Sequence, residues 1–210
     1  MIRRRKTAIG VRSRWAARRW AAVLNSQSAM AAITPRATRI ISLIELAPGK
    51  RYVDIGCGTA SYAHLLAVRA RMKETPVTLD LASGPGPVTA LAWPEKLPLA
   101  DASVDCLTSL YFIHRFDDDV VHAFAGEIAR VLRPGGAALV MDIAPVKNGG
   151  LDRLHRKLIS PGCAEVDLRG WGRLAALFTE SGFDAIDLVN VGPFLFPPIP
   201  RVGVLLRRAP

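Results

Sequence analysis

Residues 52–61 read YVDIGCGTAS. Four residues of strand character, Tyr52-Val53-Asp54-Ile55, run into Gly56 and Gly58, and a helix-like stretch starts near Ala60. A strand that turns through glycines into a helix offers unpaired N–H groups and lets a ligand approach the backbone closely. That is how a nucleotide-binding strand–loop–helix unit begins.

The alternation continues along the chain. Strands are expected at 51–55, 77–81, 87–91, 104–111, 136–143, 184–190 and 202–207, and helices at 60–71, 118–132 and 171–181. The helix at 118–132 follows an acidic run, Asp117 to Asp119, which suits a helix N-terminus, and should stop at Arg133-Pro134-Gly135-Gly136. Short strands alternating with helices predict a mainly parallel sheet covered by helices. The last two strands have no helix between them and should form an antiparallel pair at one edge. Upstream, Pro35 can open a helix whose apolar positions Ile40, Ile41, Leu43, Ile44 and Leu46 follow helical spacing, ending at Pro48-Gly49.

With 210 residues, half of them hydrophobic, one α/β domain is expected, at 35–210, preceded by a basic arm at 1–34. The net charge of +10 belongs to that first part of the chain. Ten basic residues precede the first acid, Glu45: Arg3, Arg4, Arg5, Lys6, Arg12, Arg14, Arg18, Arg19, Arg36 and Arg39. From there on, basic and acidic residues balance. An acid-free arm carrying Trp15 and Trp20 is suited to a polyanionic surface, either an anionic membrane leaflet or RNA, and a mitochondrial-type presequence has the same composition. A lid over a ligand site is the other role open to it. Cys57, Cys106 and Cys163 are scattered and odd in number, with no metal-ligand spacing, so no metal is expected and a reducing, cytoplasmic setting is. No secretory signal and no membrane-spanning run of about 18 apolar residues is visible.

The glycine loop suits two kinds of cofactor. A dinucleotide loop wants a third glycine where this chain has Ser61. Asp54, two residues before the first glycine, would repel a pyrophosphate but suits a cation. S-adenosylmethionine has an ammonium, a sulfonium and no phosphate, so the local chemistry favours it. Asp80, ending the second strand, can accept both hydroxyls of a ribose, which either cofactor supplies.

Three ordered stretches, VDIGCGTA, LPLADASVDCLTSLYFIHRF and EIARVLRPGGAALVMDI, resemble motifs of the class I S-adenosylmethionine-dependent methyltransferases, in particular the type 11 group. The resemblance runs from about residue 50 to 143. It implies a Rossmann-like fold: a seven-stranded, mainly parallel sheet with an antiparallel edge strand and helices on both faces. It implies that Asp54, Gly56, Cys57, Gly58 and Ala60 face the methionine end, that Asp80 and Leu81 hold the ribose, and that Ala92, Trp93 and Leu110 border the adenosyl group. Two departures stand out. The segment between Asp80 and Leu97 is too short and too rich in Gly and Pro for a helix plus a strand, and Trp93 takes the place where many relatives have an acid that reads the adenine amine. Trp93 is expected to stack on adenine or to pack in the core.

Methyl transfer is an in-line displacement in which alignment does most of the work, and a base is needed only when the acceptor must lose a proton. Tyr111, His114 and Asp142 end the fourth and fifth strands, where the acceptor should meet the methyl group. His114 is the candidate base or positioning group, against the alternative of a packing residue. Asp142 is expected to contact the acceptor or cap its loop, His155 to lie in solvent within a basic stretch, and His64 and His122 to sit on helices away from the site. The arm, the 144–170 connection and GPFLFPPIP at 192–200 are the additions that would build an acceptor pocket, and their tryptophans and apolar residues suggest a small apolar or aromatic acceptor. The competing readings are an RNA methyltransferase gripping phosphate with the arm, a non-catalytic S-adenosylmethionine-binding protein, and a nicotinamide-dependent oxidoreductase.

Overall fold

The computed structural model describes residues 36–83, 86–159, 166–192 and 200–210, with the side chains of 157–159 left out. The arm up to residue 35, Cys163 and most of the apolar stretch at 192–200 therefore lie outside the described residues.

The chain folds in the order α1 (36–43), β1 (Tyr52–Ile55), α2 (Ser61–Arg69), β2 (Val77–Asp80), β3 (Ala90–Leu91), β4 (Val104–Leu110), a 3-10 turn (Ile113–Arg115), α3 (Asp118–Val131), β5 (Leu132–Ile143), α4 (Gly149–Ile159), α5 (Trp171–Thr179), β6 (Ala185–Leu188) and β7 (Arg201–Arg207). The seven strands make one sheet in the order β3-β2-β1-β4-β5-β7-β6. The first five run parallel, and β7 is antiparallel to both β5 and β6. β7 and β6 thus close the edge as the expected antiparallel pair.

Period-two alternation gives each strand one side chain for each face of the sheet. Val53, Ile55, Leu107, Ala138 and Val140 pack with Phe124, Ile128, Leu174 and Phe178, from α3 and α5, on one face. Tyr52, Cys106, Leu139, Met141 and Leu205 pack with Ile40, Ala63 and Leu66, from α1 and α2, on the other. The register of β1 and β4, with Tyr52 opposite Cys106 and Asp54 opposite Thr108, sets Tyr52, Asp54 and Thr108 on this second face.

Three boundaries differ from the sequence reading. The helix α3 is capped as expected, Asp117 accepting from the Val120 N–H at 3.1 Å, but β5 begins at once with the buried Leu132. Leu132 pairs with Val104, and Arg133-Pro134-Gly135-Gly136 loops out as an irregularity before pairing resumes at Ala137. Gly135 makes the bend with φ +74°, its N–H reaching the Arg208 and Ala209 carbonyls. Second, β3 holds only two residues, not five. Third, the 144–170 connection contains a helix, α4, whose apolar spacing was masked by its many charges.

Candidate functional site

The glycine loop is pinned from beneath. The N–H groups of Gly56 and Cys57 donate to the Leu79 carbonyl at 2.8 and 3.2 Å, and that of Ala60 to the Cys57 carbonyl. The N–H of Gly58 donates to Asp80 Oδ2 at 2.7 Å, while Asp80 Oδ1 accepts from Leu81. Four loop donors are therefore already used inside the protein. A phosphate cradle needs such donors turned outward, and these four are not available for one.

The two glycines serve different ends. At Gly56, φ is +75° and a Cβ would fall 2.3 Å from the ring of Phe112, so the position must be bare for the core to close. At Gly58, φ is +55° and a Cβ would meet nothing within 4 Å, so the space beside it is open. Ala60 adopts φ +59°, the left-handed conformation for which a third glycine would be better suited. The loop after β2 crosses above: a Cβ on Gly86 would lie 1.9 Å from the Thr59 carbonyl oxygen. That backbone-on-backbone contact requires a glycine at position 86.

Asp54 lies under the loop, 6% exposed. Thr108 donates to its Oδ1 at 2.5 Å, and the Thr108 hydroxyl is in turn 2.7 Å from the Tyr52 hydroxyl. Burial raises the Asp54 carboxyl from 3.8 to about 7; the Thr108 hydrogen bond opposes this and the nearby Asp80 adds to it. No basic side chain pairs with it among the described residues. Burial likewise pushes the neighbouring Cys57 thiol up to about 12, which leaves it an uncharged wall and no nucleophile.

At the next strand ends, β4 and β5 bring His114 and Asp142 together. Asp142 accepts from the His114 backbone N–H at 2.8 Å and meets its ring Nδ1 at 2.9 Å, and its Oδ1 also accepts from the Ile143 N–H. The carboxylate thus holds both the backbone and the ring of His114, which fixes the orientation of the imidazole. The 3-10 turn carrying His114 is tied down by Arg169, a buried guanidinium that donates to the Ile113 and Phe116 carbonyls and pairs with Asp118 and Asp167. Tyr111, just before that turn, has φ +59°, a strained value for an aromatic residue. Its hydroxyl accepts from Arg201 Nη1 at 2.7 Å, and the same guanidinium donates to the Gly192 and Val191 carbonyls. Burial raises the Tyr111 phenol, partly offset by Arg201.

Several expectations need correction. Trp93 is not core: 56% of it is exposed, at the end of β3, leaving a flat ring at the sheet edge for a base to stack on. Asp142 meets the His114 ring and accepts from the His114 and Ile143 N–H groups, so its carboxylate holds the turn and the imidazole in place. His155 is buried, not solvated, with no hydrogen-bond partner for Nδ1 among the described residues; it lies on the inward side of a helix whose leucines at 151 and 154 face out. His64 bonds the Ala60 carbonyl and His122 the Leu177 carbonyl, both as helix residues. Ala92 is buried beside Trp93, while Leu81 and Leu110 are half-buried at the rim. Sequence reasoning missed Tyr52, Thr108, Arg169 and Arg201. Tyr52 was legible, since it shares a strand face with Asp54; Thr108 was not, being brought there only by the register of β1 and β4. The arginines were not, because nothing local marks a charged residue that folds inward onto distant carbonyls. Among the described residues no group of three or more His, Cys, Asp or Glu is placed to hold a metal ion, and no helix is long and apolar enough to cross a membrane.

A family model described as a methyltransferase domain matches residues 53–140. An O-methyltransferase of Pyrenophora dematioidea is 27% identical over 175 residues, which are 75% of this chain and 63% of that protein. The chain thus spans less than two thirds of that relative's length. The O-methyltransferase rstn1 of Aspergillus nomiae is 30% identical over 176 residues, 75% of each chain. Geranyl diphosphate C-methyltransferase of Streptomyces coelicolor, crystallised with Mg2+, geranyl diphosphate and S-adenosyl-L-homocysteine, has the same fold at 10% identity. Its TM-score is 0.63 over 84% of this chain and 79% of that one.

Proposed function

The chain belongs to the class I methyltransferases of the type 11 kind, and from that premise we propose that it transfers the methyl group of S-adenosylmethionine to the hydroxyl oxygen of a small, apolar or aromatic acceptor. The residues present fit that donor. The loop spends four of its N–H groups internally, has Asp54 beneath it where a pyrophosphate would be repelled, and leaves open space at Gly58. Asp80 keeps lone pairs on both oxygens beyond those used by Gly58 and Leu81, enough for two ribose hydroxyls. Trp93 offers adenine a ring face. When bound, the donor supplies an electrophilic methyl group on a positively charged sulfur.

The observation that carries the choice of acceptor is the His114–Asp142 pair. A hydroxyl must lose its proton to become a good nucleophile, whereas a neutral amine need not. The ring that Asp142 orients takes the acceptor's proton as the oxygen attacks; such a base contributes about 10²–10⁴-fold. Tyr111, braced by Arg201, forms the adjoining wall. Two relatives named as O-methyltransferases support the reading. An RNA base amine is less suited, since Leu110-Tyr111-Phe112-Ile113 stands where an Asn/Asp-Pro-Pro-aromatic stretch would serve such a target.

The test is a screen of phenols, aliphatic alcohols, amines and thiols with labelled methyl donor, followed by His114→Gln. Methylated phenols or alcohols, and a kcat drop of about 10²-fold or more with unchanged donor affinity, are expected. Methylation of amines alone with full turnover by His114→Gln would overturn the mechanism.

A further inference from the structure

Helix α4 turns its leucines away from the core. Leu151 and Leu154, three apart and so on one face, are 43% and 50% exposed, while Asp152, His155 and Arg156 take the inward side. The acid of this helix does not serve the outer face: Asp152 accepts from the Val146 N–H at 3.2 Å and pairs with Arg156 at 2.6 Å. Lys147 and Arg153 are exposed beside the leucines and form no ion pair among the described residues. The place of α4 is equally specific. Arg156 donates to the Val166 carbonyl, Val166 and Leu168 pack against Tyr111 and Ile143, and the Asp167 N–H donates to the His114 carbonyl at 2.9 Å. The helix is thereby fastened to the wall that Tyr111 and His114 form at the carboxyl end of the sheet. Arg36, where the basic arm joins the described chain, lies in the electrostatic field of the Tyr62 and Tyr111 hydroxyls, on the same rim.

We propose that α4 is a membrane contact: its Leu151–Leu154 face enters an anionic bilayer, with Lys147 and Arg153 at the headgroups, and so sets the mouth of the site against lipid. Charge and apolarity together choose this occupant. An interfacial helix needs an apolar face bordered by unanswered cations, and α4 has both. A second copy of this chain, or the basic arm folded back onto α4, would bring like charges together. RNA would answer the cations and leave the leucines in water. The acid-free arm, with Trp15 and Trp20, enters at the same rim and suits the same surface. The arm captures the membrane, and α4, too small to hold the protein by itself, fixes which way the protein faces. Two contacts on one rim define a plane, where one would leave the molecule free to swivel. Val68 provides the comparison. It is 73% exposed and stands near Arg69 and Arg71, but at the far end of α2 from the glycine loop, away from that rim.

Co-sedimentation and hydrogen exchange of the full chain test this, with vesicles of phosphatidylserine and phosphatidylcholine against vesicles of phosphatidylcholine alone. Neither readout depends on methyl transfer. In the natural protein, the anionic vesicles should slow amide exchange in α4 and leave α2 unchanged, a result that needs no variant. The double substitution Leu151→Asp, Leu154→Asp should weaken vesicle affinity about 10-fold or more, and Lys147→Glu with Arg153→Glu should do the same. Both pairs are exposed, so the melting temperature should not move. Val68→Asp should bind as the natural protein does. Vesicle binding without protection of α4, or unchanged by the leucine pair, would overturn the α4 contact and leave the arm's. An equal loss on Val68→Asp would overturn the orientation, and RNA that protects α4 where vesicles do not would overturn the choice of lipid. Failure of the full chain to bind anionic vesicles at low salt would overturn both membrane contacts while leaving the methyl donor assignment intact.

Discussion

At the scale of single residues, an acid buried with no counter-ion among the described residues costs stability, and Asp54 shows when. Its carboxyl ionises near pH 7 in the folded protein and near 3.8 when unfolded. Between those values the folded state holds the extra proton, so stability falls as pH rises through that window and levels off above it. Asp54→Asn keeps the Thr108 hydrogen bond and removes the charge. The ligand-free variant is therefore expected to be more stable than the natural protein at pH 8, by on the order of 2–4 kcal/mol, with the gap closing towards pH 4. Urea unfolding at both pH values measures it, and a pH-independent gap would show that burial of the charge is not the cause. Asp54 was legible as a site residue because a carboxylate before a glycine turn is chemically odd. Its partner Thr108 lies 54 residues away and is related to it only by the register of two strands. The glycine turn implies a ligand-facing Gly56, yet the ring of Phe112 is what requires it, a contact between distant segments that no local pattern announces.

At the scale of elements, α1 and α2 end with the same backbone device and unsuitable residues. At the end of α2, the Met72 N–H returns to the Ala67 carbonyl and that of Arg71 to the Val68 carbonyl, leaving Arg71 left-handed at φ +57°. At the end of α1, Leu46 and Glu45 make the same pair of bonds to Ile41 and Ser42, with Glu45 at φ +53°. Glycine suits that place, and a non-glycine residue costs about 1–2 kcal/mol in a left-handed conformation. Arg71 is exposed, so Arg71→Gly is expected to stabilise the protein by about 0.5–1 kcal/mol once the glycine's greater freedom when unfolded is allowed for. A melting temperature that falls would mean the side chain contributes something the bend does not reveal. Helix ends of this kind are hard to see in advance, because the sequence signal is the glycine that is missing. The strands were easier. Period and β-branched content placed all seven, while the start of β5 was hidden, since Arg-Pro-Gly-Gly reads as a terminator whether it precedes a strand or bulges out of one.

At the scale of the whole molecule, charge is divided along the chain. Ten basic residues precede Glu45, and the rest of the chain is balanced. We propose that the basic arm holds the protein against an anionic membrane surface, each basic residue near the surface contributing on the order of 1 kcal/mol. The full chain should sediment with vesicles containing phosphatidylserine at low salt and be released as salt rises, and a chain starting at residue 33 should not sediment. Sedimentation that survives the truncation would place the contact elsewhere. Preference for RNA over such vesicles at equal salt would reassign the arm. Arg201 bears on the other end of the molecule. One guanidinium ties Val191 and Gly192 to the start of β7, and the Ala144 N–H takes up the Pro200 carbonyl. Both feet of the stretch 193–199 are thus fastened to the sheet by groups outside it. Neither anchor uses a side chain from 193–199, so substitutions at those seven positions leave both bonds in place, and a change of acceptor by design can begin there.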